Sequence, residues 1–304
     1  MRDIIAISLI IFFGFVLTGV AYCKENPGKT VLTMGRVEET AGIVQKRLGP
    51  IVRYLAYKLK DMGIKQGEVL GGQSNATIIK YLKDGSLDIV IEAAFFAVLY
   101  RSKTNAVPIL FSWRYGTRML SSFIFVRNDS GIMTLEGLKG KVIAFEDLGS
   151  TPEYFLPKII LEGKGFEFVY LDSPHSPVPE DKIGYVFAGD ELNITSWVFY
   201  NKVDGGALSS AEWSEEEVNP KNYRDKFNII YSTPQVISAV VLLRKGLDEE
   251  LAKRIKEELL DMHKNDEGLQ ALKPFKVDKF EELSESILEN IEDMLIIPQK
   301  EEIY

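Results

Sequence analysis

The segment Asp147-Leu148-Gly149-Ser150-Thr151-Pro152-Glu153-Tyr154 carries the sharpest chemical signal in the chain, between an apolar run and an amphipathic one. A glycine followed by two hydroxyl residues at the start of a helix offers unpaired N–H groups and side-chain hydroxyls, a combination that suits an oxyanion. Pro152 removes one of those donors. Ser150 and Thr151 also fit plain helix capping, and both readings stand at this point. Arg36 and Arg114 follow apolar runs and present guanidinium forks suited to paired hydrogen bonds with phosphate, phosphonate or carboxylate. Each is equally compatible with a solvated surface arginine. Glu92 closes another apolar run, either as a ligand contact or as an arginine's partner. Asp190 opens an amphipathic stretch as a polar contact or an N-cap, and Ser209 with Ser210 ends a further apolar run. Tyr154, Phe95 and Trp213 are the aromatic residues that could wall a cleft, or fill a core.

Such residues work together only if the fold gathers them, and the hydropathy pattern says how. Short apolar runs alternate with amphipathic segments from Thr30 onward, which predicts an α/β protein. Expected strands are Val31–Met34, Glu68–Leu70, Leu87–Ile91 and Val107–Phe111, then Ser122–Arg127, Lys141–Phe145, Glu167–Leu171, Val203–Leu208, Phe227–Tyr231 and Ile237–Leu243. Expected helices include Pro50–Met62 with proline in its first turn, Ala94–Arg101, one from Gly149-Ser150-Thr151 to Leu161, Glu191–Tyr200, an acidic one over Ala211–Glu217, and everything from Asp248 onward.

The chain has 304 residues, more than one comfortable core, so two lobes are expected. We expect residues 30–119 plus 232–304 to form lobe 1, and residues 120–231 to form lobe 2, inserted into it. Strands near 119–127 and 228–240 then cross between the lobes as a hinge, with the ligand cleft where strand carboxyl ends converge.

A net charge of −8 excludes a basic nucleic-acid footprint. One cysteine, Cys23, allows no internal disulfide, and two distant histidines, His175 and His263, argue against a zinc site. No cofactor is expected. Residues 1–23, basic at Arg2 and uncharged from Ile4 to Ala21, read as an export signal peptide or an N-terminal anchor, with Cys23 as a possible lipid site. The bulk of the chain is therefore expected in the periplasm or outside the cell. No nucleophile elbow, phosphate-cradling glycine loop or His-Glu-x-x-His motif is present, so an enzyme is not expected.

Taken in order, Arg127-Asn128-Asp129-Ser130-Gly131-Ile132, Leu135-Glu136-Gly137-Leu138-Lys139-Gly140-Lys141 and Gly149-Ser150-Thr151 resemble the phosphonate-binding (PhnD-like) periplasmic proteins of ABC transporters. Arg47-Leu48-Gly49-Pro50, Gly85-Ser86-Leu87-Asp88-Ile89 and Val203-Asp204-Gly205-Gly206-Ala207 extend the resemblance over about Val31 to Phe275. It implies a two-lobed type 2 periplasmic-binding fold and a monomeric receptor that hands phosphonate, phosphate or phosphite, or a related zwitterion, to a membrane permease. A ligand-sensing domain working with a signalling partner is the alternative. Gly189-Asp190-Glu191 resembles the place where the family puts polar ligand contacts. Two departures stand out: Pro152-Glu153 replaces the family's Ser-Gly, and Glu92-Ala93-Ala94 replaces its Gly-Pro. A Glu153 facing the cleft repels a phosphonate or recruits an ammonium group; one facing solvent merely complements the helix dipole.

Overall fold

The computed structural model describes residues 29–38, 40–148, 150–284, 286, 287 and 289. The N-terminal segment 1–23, with Cys23, and Gly149 lie outside the described residues. The first lobe starts with β1 (Val31–Val37), α1 (Ala41–Lys58), β2 (Gln66–Gly72), α2 (Asn75–Asp84), β3 (Ile89–Ala93), α3 (Ala94–Thr104) and β4 (Val107–Trp113). The chain crosses through β5 (Met119–Leu120) and builds the second lobe from β6 (Ser122–Arg127), β7 (Val142–Phe145), α4 (Leu156–Gly163), β8 (Phe168–Tyr170), β9 (Ile183–Phe187), α5 (Glu191–Phe199), β10 (Gly205–Ser209), α6 (Lys221–Arg224) and β11 (Phe227–Ser232). It returns through β12 (Val236–Ile237) to β13 (Ala239–Leu243), α7 (Glu249–Asp261), α8 (Asp266–Leu272) and β14 (Lys279–Glu282).

Each lobe holds one six-stranded sheet, ordered β14-β4-β13-β3-β1-β2 in the first and β11-β6-β10-β7-β9-β8 in the second. Both have a parallel core, as α/β crossovers require, and antiparallel strands where the crossing segments join. The crossing strands pair with each other, Val236 opposite Leu120 and Ile237 opposite Met119, in a two-stranded hinge ribbon. The architecture is the two-lobed type 2 periplasmic-binding fold.

The buried carboxylate of Asp88 pins the first sheet. It accepts from the Thr33 amide and hydroxyl at 2.9 and 2.8 Å and from Arg244 Nε at 2.9 Å, so that β1, β3 and the end of β13 share one anchor. Glycine at position 35 lets β1 approach β2 closely: a Cβ there would stand 2.2 Å from the Leu70 carbonyl oxygen.

Several local expectations need correction. The first helix begins at Ala41, nine residues before Pro50, because Val44 and Leu48 extend the buried stripe of Ile51 and Leu55 upstream. Pro50 therefore sits inside the helix, where its lost hydrogen bond is outweighed by burial of that face. Ala211–Glu217 is a run of turns, not a helix, held by i to i−3 bonds such as Glu212 N–H to Ser209 O and Glu215 N–H to Glu212 O. The region after Asp248 is not wholly helical, since β14 pairs antiparallel with β4 along its polar sequence Lys-Phe-Glu-Glu.

Candidate functional site

Strand ends from both sheets converge on a half-open cleft of about 80 Å³. From the first lobe it is lined by Arg36, Arg47, Ser112, Arg114 and Lys276, with Phe275 beside them. From the second lobe it is lined by Glu146, Asp147, Ser150 and Glu191.

Local backbone chemistry sets these side chains. Arg36 lies near the carboxyl end of β1, one residue after the close approach at Gly35. Its guanidinium stands 3.6 Å from Glu92 Oε1 and lies over the Phe275 ring, 5.6 Å from the centroid. Ser112 is the next-to-last residue of β4, and Arg114 directly follows the strand, two residues on. Just beyond, Tyr115 and Gly116 both take positive φ (50° and 71°), and Arg114 and Thr117 exchange backbone hydrogen bonds of 3.0 Å. That tight two-residue turn fixes the direction of Arg114. Ser112 Oγ is fully buried, and neither it nor Arg114 Nε has a hydrogen-bond partner among the described residues.

Glu212, in the turns after β10, gathers cations from across the cleft. Its Oε1 accepts from Tyr115 Oη at 2.9 Å and lies 3.6 Å from Arg114 and 3.5 Å from Lys276 Nζ. Lys276 also reaches Glu191 Oε1 at 3.1 Å. Burial works against the charge of both Arg114 and Lys276, yet the facing carboxylates outweigh it and hold both above their ordinary range. These contacts join the lobes.

The helix start on the second wall is already filled. Residues Thr151–Phe155 form a π-helical turn ahead of α4, not the regular helix expected. Ser150 caps it, its Oγ accepting from Glu153 N–H at 3.2 Å and donating to Glu153 Oε2 at 2.9 Å. The Ser209 amide donates to Glu153 Oε1 at 2.7 Å. Glu153 is 2 % exposed. Burial first, then the carboxylates of Glu212, Glu146 and Glu191, push its carboxyl well above the usual range, and it hydrogen-bonds to Glu212. We read it as a neutral acid donating to the Glu212 carboxylate. Burial, with Glu191 and Asp147 close by, likewise raises Glu146 to about 8, against a smaller opposing hydrogen bond with Ser150.

Of the expected site residues, Arg36, Arg114 and Ser150 line the cleft. The other five do not. Thr151 is buried at the π turn. Glu92 is buried as a structural acceptor for the amides of Val37 and Ala93, at 2.8 and 3.0 Å, and as the partner of Arg36. Tyr154 turns into a ring cluster with Phe145, Tyr185 and Phe187. Asp190 is an exposed N-cap, accepting from Asn193 N–H at 2.7 Å. Ser209 contributes its amide to Glu153, while its hydroxyl accepts from Ala211 N–H. Phe95 and Trp213 are packed in the two lobes, and the aromatic residue at the cleft is Phe275.

Sequence reasoning missed Ser112, Glu146, Phe275 and Lys276, and used Arg47, Asp147 and Glu191 only as parts of longer motifs. Glu146 and Asp147 directly follow the carboxyl end of β7, a position that marks cleft residues in open α/β sheets. Lys276 carries no such mark: it sits in a left-handed conformation (φ 54°) after a short 3₁₀ turn.

A model of the family described as "ABC transporter, phosphonate, periplasmic substrate-binding protein" matches residues 38–288. Among solved structures, XAC2383 from Xanthomonas citri bound to chloride is 28% identical, with a TM-score of 0.79 over 88% of this chain and 97% of that one. The same protein bound to ATP gives a TM-score of 0.78 at 28% identity and the same coverage. PhnD1 from Prochlorococcus marinus in complex with methylphosphonate is 18% identical, with a TM-score of 0.65 over 87% of this chain and 97% of that one, a likeness of fold. The chain belongs to the phosphonate family of periplasmic substrate-binding proteins of ABC transporters.

Proposed function

We propose that this extracytoplasmic receptor closes its two lobes over a small solute bearing an acid group and presents the closed form to its permease. The observation that carries the reading is the convergence of Arg36, Arg47, Arg114 and Lys276 on one cleft between the lobes. Confined guanidinium and ammonium groups bind oxyanions strongly, because little water remains to compete. A volume of about 80 Å³ suits a ligand of a few heavy atoms. The chloride and ATP seen with XAC2383 are both anions, which is consistent with an anion-attracting cleft here.

Residues 1–23 act in this reading as the export signal, and the mature protein works as a monomer. Transport, not sensing, is the role the family supports. The test is a calorimetric screen of phosphate, phosphite, methylphosphonate, aminophosphonates, sulfonates and amino acids against the exported protein. At least one small acid binds, and Arg114→Gln weakens it tenfold or more. Failure of every acid in the panel to bind would overturn the proposal.

A further inference from the structure

Basic and acidic side chains line opposite walls of the cleft, and the division follows the lobes. Every cationic lining residue (Arg36, Arg47, Arg114 and Lys276) comes from the first lobe, and every acidic one (Glu146, Asp147 and Glu191) from the second. A ligand with only an acid group would face three carboxyl residues at its far end.

The usual seat for an anion at a helix start is blocked. The Glu153 carboxyl takes the Ser209 amide at 2.7 Å and the Ser150 hydroxyl at 2.9 Å, two donors that would otherwise face a guest oxyanion. The chain thus supplies its own acid group at that point.

Unused donors lie on the other wall. Ser112 Oγ is fully buried, and Arg114 Nε is buried, both lack a partner among the described residues, and both residues line the cleft. Leaving a buried polar group without a partner is costly, so two of them beside one cavity mark a place where a ligand's acceptors complete the structure. Ser112 is the next-to-last residue of β4, and Arg114 directly follows the strand. Two unpaired donors on one wall match in number the two oxygens of a planar carboxylate, whereas a phosphonate brings three oxygens and up to two charges.

Resting on the reading that the cleft binds an acid, we propose that the ligand is a small amino-carboxylate. Its carboxylate is held on the first lobe by Ser112 and Arg114, and its ammonium group faces Glu146, Asp147 and Glu191 on the second. Arg36, Arg47 and Lys276 supply the surrounding positive field.

The experiment is titration calorimetry with glycine, β-alanine and 4-aminobutyrate, against propionate and ethylamine as half-ligands and methylphosphonate as the competing class. At least one amino-carboxylate binds, and propionate and ethylamine bind at least a hundredfold more weakly. Ser112→Ala weakens that ligand about tenfold without lowering the melting temperature of the ligand-free protein, because it deletes a hydroxyl that has no partner to lose. Thr151→Ala leaves the affinity unchanged. If methylphosphonate binds and every amino-carboxylate fails, or if Ser112→Ala leaves the affinity intact, this assignment falls while the acid-binding function stands. If no acid of either class binds, both fall together.

Discussion

Lys276 and Glu191 stand on opposite lobes and meet across the cleft, Nζ to Oε1, at 3.1 Å. Around them, Arg114, Tyr115 and Lys276 of the first lobe all converge on Glu212 of the second. The closed arrangement is therefore held by charge at the rim as well as by any guest inside.

Glu212 is the shared acceptor of that rim, so Glu212→Gln removes its charge from three partners at once. The expected result is a shift of the ligand-free protein toward the open form, read as a larger radius of gyration in small-angle X-ray scattering. Lys276→Met acts in the same direction but less strongly, since a half-exposed ion pair contributes about 0.2–1 kcal/mol. Unchanged scattering for both variants would show that the rim does not hold the lobes together.

Glu153 makes a sharper case because its role depends on being neutral. Glu153→Gln keeps the shape, an acceptor for the Ser209 amide and a donor toward Glu212, so the fold and the ligand affinity are expected to survive within threefold. Glu153→Ser removes the internal acid group and exposes the Ser150 hydroxyl and Ser209 amide to the cleft. We expect that variant to gain affinity for methylphosphonate or sulfate by tenfold or more. No gain would mean that the carboxyl is not what keeps anions from the helix start.

Much of the fold was legible in the sequence because its signals are local. Near-continuous apolar strands such as Ile89–Ala93 declare a sheet covered on both faces, and Ser74, which accepts from Thr77 N–H, declares the start of α2. The site was less legible. Arg36 and Arg114 could be placed because each follows a strand. Glu92 looked the same by that rule, yet backbone amides claim it, and no local pattern reveals where an amide 55 residues away will point. Tyr154 was lost to a ring cluster assembled from β7 and β9. Lys276 enters the cleft only because the chain after α8 folds back against the first sheet. Its role exists at the level of packing, not of sequence spacing.

The buried acids also set the pH dependence of stability. The carboxyl of Glu146 is raised by burial and by Glu191, Asp147 and Glu212, to about 8, and that of Glu153 is raised well above its ordinary value. Between the unfolded carboxylate range and about 8 the folded state therefore binds more protons than the unfolded state, and stability falls as pH rises through that window. The ligand-free protein should melt at a higher temperature at pH 5.5 than at pH 8.5. Glu153→Gln should flatten the curve, because the amide has no proton to lose. A wild-type melting temperature that climbs over the same range would contradict the neutral state of both groups.

Closure has an apolar component near the hinge as well. Phe155, from the π turn of the second lobe, packs against Phe95 and Phe96 of the first, with ring centroids 5.1 and 5.2 Å apart. The next residue, Leu156, is fully buried among first-lobe side chains that include Leu120, Val236 and Ile237 of the hinge ribbon. Aromatic pairs contribute about 0.5–1.5 kcal/mol beyond the area they bury. Phe155→Ala should then weaken ligand binding by roughly tenfold to a hundredfold, through a lower population of the closed form and with no change at the binding groups. Dissociation should speed up more than association slows, since the contact forms as the lobes shut. Each lobe keeps its own core, so far-ultraviolet circular dichroism should be unchanged. A variant that binds normally would place Phe155 in a contact that persists in the open form.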